Sequence, residues 1–315
     1  MPAVLRKRYP LRFRRLPFCF AFACLLAFES WMVGQAVATD PSYELRAFPD
    51  QRYNQRVDGN AGLCDVLLPP TEPPTGGYPT VLVVHGGGWV SGSKWTISGY
   101  SRFLANQGYA TVTINYRLAP QYRFPAQLDD LRQGLVWIAK HAETYHFNLD
   151  CVGLFGYSAG GHLALLLSAL QDEPTETKVA TSEWKANDPR WIALPAILAT
   201  CVGGPPCDFQ DLPLDNTTLA YFLGSSRREN PKVYQLASPI AHVSCKDPPV
   251  RIIHGETDAI VPIQGSVAFS DAIRNAGGQC RLTKLPGQGH LMTFLNPKTS
   301  EAVREFFAEA LTAND

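Results

Sequence analysis

The feature that most constrains this chain is Gly156-Tyr157-Ser158-Ala159-Gly160, set between the β-rich run 152–155 and the nearly all-apolar stretch 158–171. A buried strand that passes at once into a buried helix leaves its turn residue in strained backbone geometry. Small neighbours must permit that geometry, and Gly156 and Gly160 supply the clearance. The Ser158 hydroxyl is then pushed out at the end of the sheet, with the first helical N–H groups beside it. A serine that only caps a helix after a glycine turn is the plainer alternative. The strand before and the helix after Ser158 favour a nucleophile.

The rest of the chain fits a sheet that would hold such a turn. Short apolar runs at 80–84, 110–115, 152–157, 192–201, 250–254 and 281–285 lack polar alternation. Strands covered on both faces read this way. Leu128, Leu131, Leu135, Ile138 and Ala142 recur at spacings of three and four, the stripe of a helix with one apolar face. Strands alternating with helices predict an α/β fold, a mostly parallel, doubly wound sheet with helices on both faces. Residues 69–79, rich in Pro, Gly and Thr, predict a loop after an N-terminal hairpin region, not a domain linker. Ligand crevices of such sheets lie beyond the carboxyl ends of the strands.

Three further groups fall at those ends. His85-Gly86-Gly87-Gly88-Trp89 follows the run 80–84, and consecutive glycines let backbone N–H groups turn towards a substrate. A tight turn is the bland reading, but paired with Ser158 the loop predicts an oxyanion hole. Gly87, with Gly86 or Gly88, would act there together with the N–H of Ala159. His85 is expected to fix the loop rather than act as a base. A neutral serine hydroxyl needs a base and an acid. His290 follows the run 281–285 and Asp258 follows 250–254, giving the chain order Ser, Asp, His. Glu256 is a rival acid, while His254 and His162 read as satisfied structural histidines. Trp89 and Tyr157, flanking the glycines and the serine, are expected to bind substrate. The segments 172–190 and 208–234 are expected to wall the pocket, with Trp184, Trp191, Tyr221 and Phe222 as lining residues or core. The dense charges of 172–190 leave no apolar lid face, which predicts short acyl substrates.

His85 to Trp89, Tyr116-Arg117-Leu118-Ala119-Pro120, Phe124-Pro125-Ala126, Gly156 to His162 and His254 to Pro262 together resemble a known group. They are similar to α/β-hydrolase carboxylesterases of the acetylesterase and feruloyl-esterase-like (BD-FAE-like) group, related to hormone-sensitive-lipase-like esterases and arylformamidases. The likeness runs from about Pro79 to the C-terminus. It implies hydrolysis of short-chain carboxylic esters through Ser158, Asp258 and His290, with a small-molecule ester as partner and neither metal nor organic cofactor. An arylformamidase-like amidase and a non-catalytic hydrolase-fold binding protein are the competing readings. The segment Cys201-Val-Gly-Gly-Pro-Pro-Cys207 departs from the group's usual loop and leaves the pocket's shape open.

The N-terminus reads as a separate element. Arg6, Lys7, Arg8, Arg12, Arg14 and Arg15 precede the apolar run 16–28, and Ala36-Val37-Ala38 offers a small-x-small cleavage site. A signal peptide over 1–38, cleaved near Ala38, and a hydrolase domain over 39–315 are expected. Secreted or periplasmic placement follows, with no stable membrane span after cleavage; a retained anchor is the alternative. Cleavage would remove six cationic groups and Glu29, leaving 22 Lys and Arg against 27 Asp and Glu, a net charge of −5. No basic footprint for nucleic acid is present. Oligomeric state is not legible. Six cysteines would remain, and no Cys-x-x-Cys or paired-His spacing suggests zinc. In an oxidising compartment disulfides are expected, first Cys201–Cys207 across the Gly-Gly-Pro-Pro turn, then Cys245–Cys280.

Overall fold

The computed structural model describes residues 44–214 and 217–311. The expected signal segment 1–38, with Cys19 and Cys24, lies outside them. Eight strands form one sheet in the order β1-β2-β4-β3-β5-β6-β7-β8. They are β1 (Arg46–Arg52), β2 (Leu63–Leu68), β3 (Tyr78–Val84), β4 (Ala110–Ile114), β5 (Phe147–Tyr157), β6 (Ile197–Gly203), β7 (Val250–Gly255) and β8 (Cys280–Leu285). β1 and β2 form the expected antiparallel hairpin, and β2 joins β4 antiparallel; all other pairs are parallel.

Helices cover both faces, as the alternation predicts. They are α1 (Ser98–Asn106), α2 (Ala126–Lys140), α3 (Ala159–Ala169), α4 (Ala220–Leu223), α5 (Gln264–Ala276), α6 (His290–Leu295) and α7 (Pro297–Ala310). Successive strand residues point to opposite faces. Leu82, Val84, Val152 and Leu154 therefore pack with α2, α3 and α5. Val81, Val83, Phe155 and Cys201 pack with Tyr100 and Leu104 of α1 and with Val303 and Phe307 of α7. Every residue of α3 is buried, which explains its lack of a polar stripe.

Register decides where the loops meet. Val84 pairs with Gly156, Tyr157 with Gly203, Gly203 with Ile253, and Gly255 with Leu285. The carboxyl ends of β3 and of β5 through β8 thus line one edge of the sheet. The segments after them, which hold the predicted site, emerge side by side.

Two expectations are corrected. Residues 192–196 are not part of β6, and Ile192 is 92% exposed. Asp188 accepts from the Arg190 N–H and Pro189 opens a single 3-10 turn, so an extended start is lost. The expected disulfides are also absent: Cys64, Cys151, Cys201, Cys207, Cys245 and Cys280 are free thiols. Cys201 packs on the α1–α7 face while Cys207 packs on the opposite face, so no turn between them brings the sulfurs together. Cys280 is half-buried, whereas Cys245 faces solvent. Among the described residues no helix is long and apolar enough to cross a membrane.

Candidate active site

Ser158 sits at φ 55°, ψ −121°, a backbone conformation that side-chain-bearing residues rarely adopt. Its N–H donates to the Gly203 carbonyl at 2.8 Å and its carbonyl accepts from His162 N at 2.9 Å, which hold the turn from both sides. A Cβ at Gly160 would collide with the Val84 and His85 carbonyls, so only glycine lets α3 start this close to β3. Ala159 opens α3, and a first-turn amide has no partner within its helix.

The glycine loop is held by its carbonyls. Gly86 O lies 2.7 Å from His85 Nδ1; Gly87 O accepts from Val90 N, Ser91 N and Ser91 Oγ; Gly88 O accepts from the Tyr221 hydroxyl at 3.0 Å. Across a trans peptide the next N–H points opposite to the carbonyl. Pinning these oxygens therefore sets the directions of the Gly87, Gly88 and Trp89 amides. Gly86 itself lies over the elbow, where a Cβ would come 3.3 Å from that of Ser158. His85 is buried, stacks on Tyr116 at 4.1 Å, and burial depresses it to about 4, so it stays neutral. Its place is the loop brace expected of it.

Asp258 and His290 meet. Asp258 Oδ2 lies 2.6 Å from His290 Nδ1, and Oδ1 accepts from the Ile260 and Val261 amides at 2.9 Å each. Burial alone would raise the carboxyl. Hydrogen bonds from His254, His290 and Val261 outweigh it and hold Asp258 far below the carboxylate range. An ionised Asp258 only accepts, so His290 Nδ1 carries the proton and Nε2 keeps its lone pair. No hydrogen bond joins His290 to the Ser158 hydroxyl in this structure; such bonds are often long without substrate. Both residues border the same corner, because a Cβ at Gly204 (φ +51°) would lie 3.0 Å from His290 Cε1. Glu256 is exposed, and no hydrogen bond or ion pair joins it to His290, which pairs with Asp258 instead.

Trp89 and Tyr157, expected to bind substrate, are held largely by the protein itself. Both are buried, at 4% and 5% exposure. Trp89 Nε1 donates to His162 Nδ1 at 3.2 Å and its ring stacks on Phe222 at 4.5 Å. The Tyr157 hydroxyl donates to the His290 carbonyl at 2.6 Å. Their aromatic bodies support the site from beneath. Segment 172–190 divides between the two ends of the sheet: Glu183 pairs with Arg117 at 2.9 Å, beyond the carboxyl end of β4. Trp184 and Trp191 pack on each other, and Trp191 borders a cavity of about 420 Å³ with Leu170 and Ile197, at the amino end of β6. That cavity lies at the end of the sheet opposite Ser158. Segment 208–234 does reach the site, through Tyr221 on Gly88.

Three contributors had weaker sequence signals. Gly203-Gly204 serves as clearance for the Tyr157 and His290 rings rather than as a disulfide turn; its signal was a glycine pair at a strand's carboxyl end. Tyr221 stood out only as one aromatic among several. Arg117 and Ala119 buttress the loop: Ala119 N donates to Trp89 O, and Arg117 pairs with buried Asp130 at 3.0 Å. Among the described residues no cluster of His, Cys, Asp and Glu could hold a metal ion.

Known proteins resemble this chain in sequence and in fold. Probable carboxylic ester hydrolase LipM of Mycobacterium tuberculosis is 28% identical over 88% of this chain and 65% of its own length. Esterase LipC of the same organism is 28% identical over 69% of this chain and 54% of its own. The chain spans about half to two-thirds of the length of these curated relatives. Among solved structures, a truncated form of carbohydrate esterase from gut microbiota superposes with a TM-score of 0.75 at 22% identity, covering 86% of this chain and 98% of that one. Esterase Est2 of Thermogutta terrifontis, with butyrate bound, gives 0.66 at 21% identity, over 87% and 97%. These likenesses show the α/β-hydrolase fold. The BD-FAE family model matches residues 64–273, two-thirds of the sequence, and the chain belongs to that family.

Proposed function

We propose that this protein is a serine hydrolase that cleaves carboxylic esters through an acyl-enzyme formed on Ser158. The observation that carries the reading is the 2.6 Å contact from His290 to Asp258 beside a strained Ser158. Ser158 Oγ attacks the ester carbonyl as its proton passes to His290 Nε2, and Asp258 stabilises the imidazolium. The amides of Ala159 and of the Gly86–Gly88 loop receive the oxyanion. His290 then protonates the departing alcohol. Water, deprotonated by the same nitrogen, attacks the acyl carbon and releases the carboxylate.

The acyl group is proposed to be short, acetyl or similarly small, on a soluble alcohol such as a sugar or aryl group. Support comes from the Trp89, Phe209 and Phe222 rings, which already fill the space beneath the oxyanion loop. The enzyme is further proposed to be secreted or periplasmic after cleavage near Ala38, on the strength of the basic and apolar N-terminal pattern. N-terminal sequencing of exported protein tests this, and a mature chain beginning at Met1 overturns it.

Titration with a serine-directed organophosphonate, followed by rates on aryl esters from acetyl to dodecanoyl, tests the chemistry. Stoichiometric labelling of Ser158 and a maximum at four carbons or fewer are expected. A maximum at eight or more would refute the short pocket while leaving the triad. Neither labelling nor turnover would return the chain to a binding protein, and faster turnover of an aryl formamide than of the matching ester would make it an amidase.

A further inference from the structure

A second imidazole stands directly behind the Asp258–His290 pair. His254, the fifth residue of β7, is fully buried. Its Nε2 lies 2.9 Å from the Val261 carbonyl oxygen and 3.3 Å from Asp258 Oδ2, the oxygen that also receives His290. Its Nδ1 lies 2.8 Å from the hydroxyl of Ser266, the third residue of α5. Both neighbours of Nε2 are pure acceptors, so Nε2 carries the proton, and Nδ1 accepts from Ser266. The ring is thereby fixed with its N–H edge towards the carboxylate.

We propose that His254 is a positioning residue of the hydrolytic reaction, holding Asp258 Oδ2 in place towards His290 and drawing charge from it. This rests on Ser158, Asp258 and His290 being the reacting groups. An N–H edge at Oδ2 lowers the negative potential that Asp258 presents to His290. Without it the carboxylate stabilises the imidazolium more strongly, and His290 protonates at higher pH. The carboxyl also loses a side-chain neighbour that resists its rotation. The other titratable groups packed around this array are Tyr157 of β5, Cys207 beyond Ser266 at 3.8 Å, and Glu256, exposed on the Asp258 loop. Burial raises the phenol well above its usual range and the thiol to about 12, so neither changes charge in neutral or weakly acidic solution.

The test compares the full-length wild type with His254→Gln, His254→Phe and Ser266→Ala, reading kcat, KM and the pH dependence of kcat/KM on an aryl acetate, with phosphonate labelling as an active-site count. For His254→Phe, kcat per labelled site should fall about tenfold, the loss of an N–H edge held 3.3 Å from the carboxylate oxygen, with KM little changed. Its acid limb should move up by about half to one pH unit. His254→Gln restores an N–H near Oδ2 and should recover most of the rate with the limb near its original place. Ser266→Ala unpins the ring, fills no space, and should move the limb the same way by less. That variant keeps the test open if the phenylalanine does not fold. Equal rate loss in the Gln and Phe variants with an unmoved limb, or no limb shift in Ser266→Ala, overturns the proposal. A wild type that neither labels nor turns over fails the triad reading instead, and the two failures are distinct.

Discussion

The hydroxyl of Tyr157 donates to the backbone carbonyl of His290 at 2.6 Å, tying the residue before the candidate nucleophile to the candidate base 133 positions away. Their rings lie 5.3 Å apart, edge to face, over the Gly203-Gly204 corner of β6. Three neighbouring strands thus fix one imidazole, and the predictions below separate their contributions.

Ser158→Ala and His290→Ala should each lose at least about 10⁴-fold in kcat while keeping the melting temperature, and the double variant should be little worse. Asp258→Asn should be far more damaging than Glu256→Gln, since only Asp258 touches His290. Steady-state rates on an aryl acetate decide both rankings, and near-normal turnover in Ser158→Ala would end the mechanism.

Gly204→Ala places a methyl group 3.0 Å from His290 Cε1 at a residue with φ +51°. The backbone cost is about 1–2 kcal/mol. A displaced imidazole should cost about 100-fold in kcat. Thermal melting and kinetics on the same sample should show a modest fall in stability with a large loss of rate. An active variant would mean that the corner does not seat the base.

Tyr221→Phe keeps the ring and removes the hydroxyl that holds Gly88 O. The loop that carries the Gly87 and Gly88 amides then loses one of its anchors, and kcat should fall about tenfold with KM unchanged, because the oxyanion forms only in the transition state. A rise in KM at constant kcat would instead make Tyr221 a ground-state contact.

Asp247 is pushed up to about 7, first by burial and then by the nearby Asp172 and Glu173, against the Ser244 N–H that it accepts. Its folded value lies above the unfolded one of about 3.9. The stability it contributes is therefore complete below about pH 4 and is lost as pH rises through about 7. Asp247→Asn should match the wild type near pH 4 and melt about 2–4 °C higher at pH 8. Melting curves across that range check the sign, and a variant no better at pH 8 than at pH 4 contradicts it.

The strand–glycine–serine–glycine–helix pattern, the triple glycine and the positions of Asp258 and His290 were legible because each is a local demand. A strained turn needs small residues beside it, and strand ends announce themselves by apolar runs that stop. The doubly wound sheet followed from the same alternation. What lay beyond reach was side-chain direction. Trp89 and Tyr157 stand next to the chemistry in sequence, yet their rings point into the core. Cys201 and Cys207 are six positions apart, but Cys201 points from β6 to one face while the loop after β6 carries Cys207 into the core on the other. The charges of 172–190 suggested a pocket wall, yet Arg190 pairs with Asp188 and Glu183 with Arg117. Only the register of β3 and of β5 through β8 brought Gly204, Tyr221 and His254 to the site, because contacts across strands depend on pairing that no short window of sequence contains.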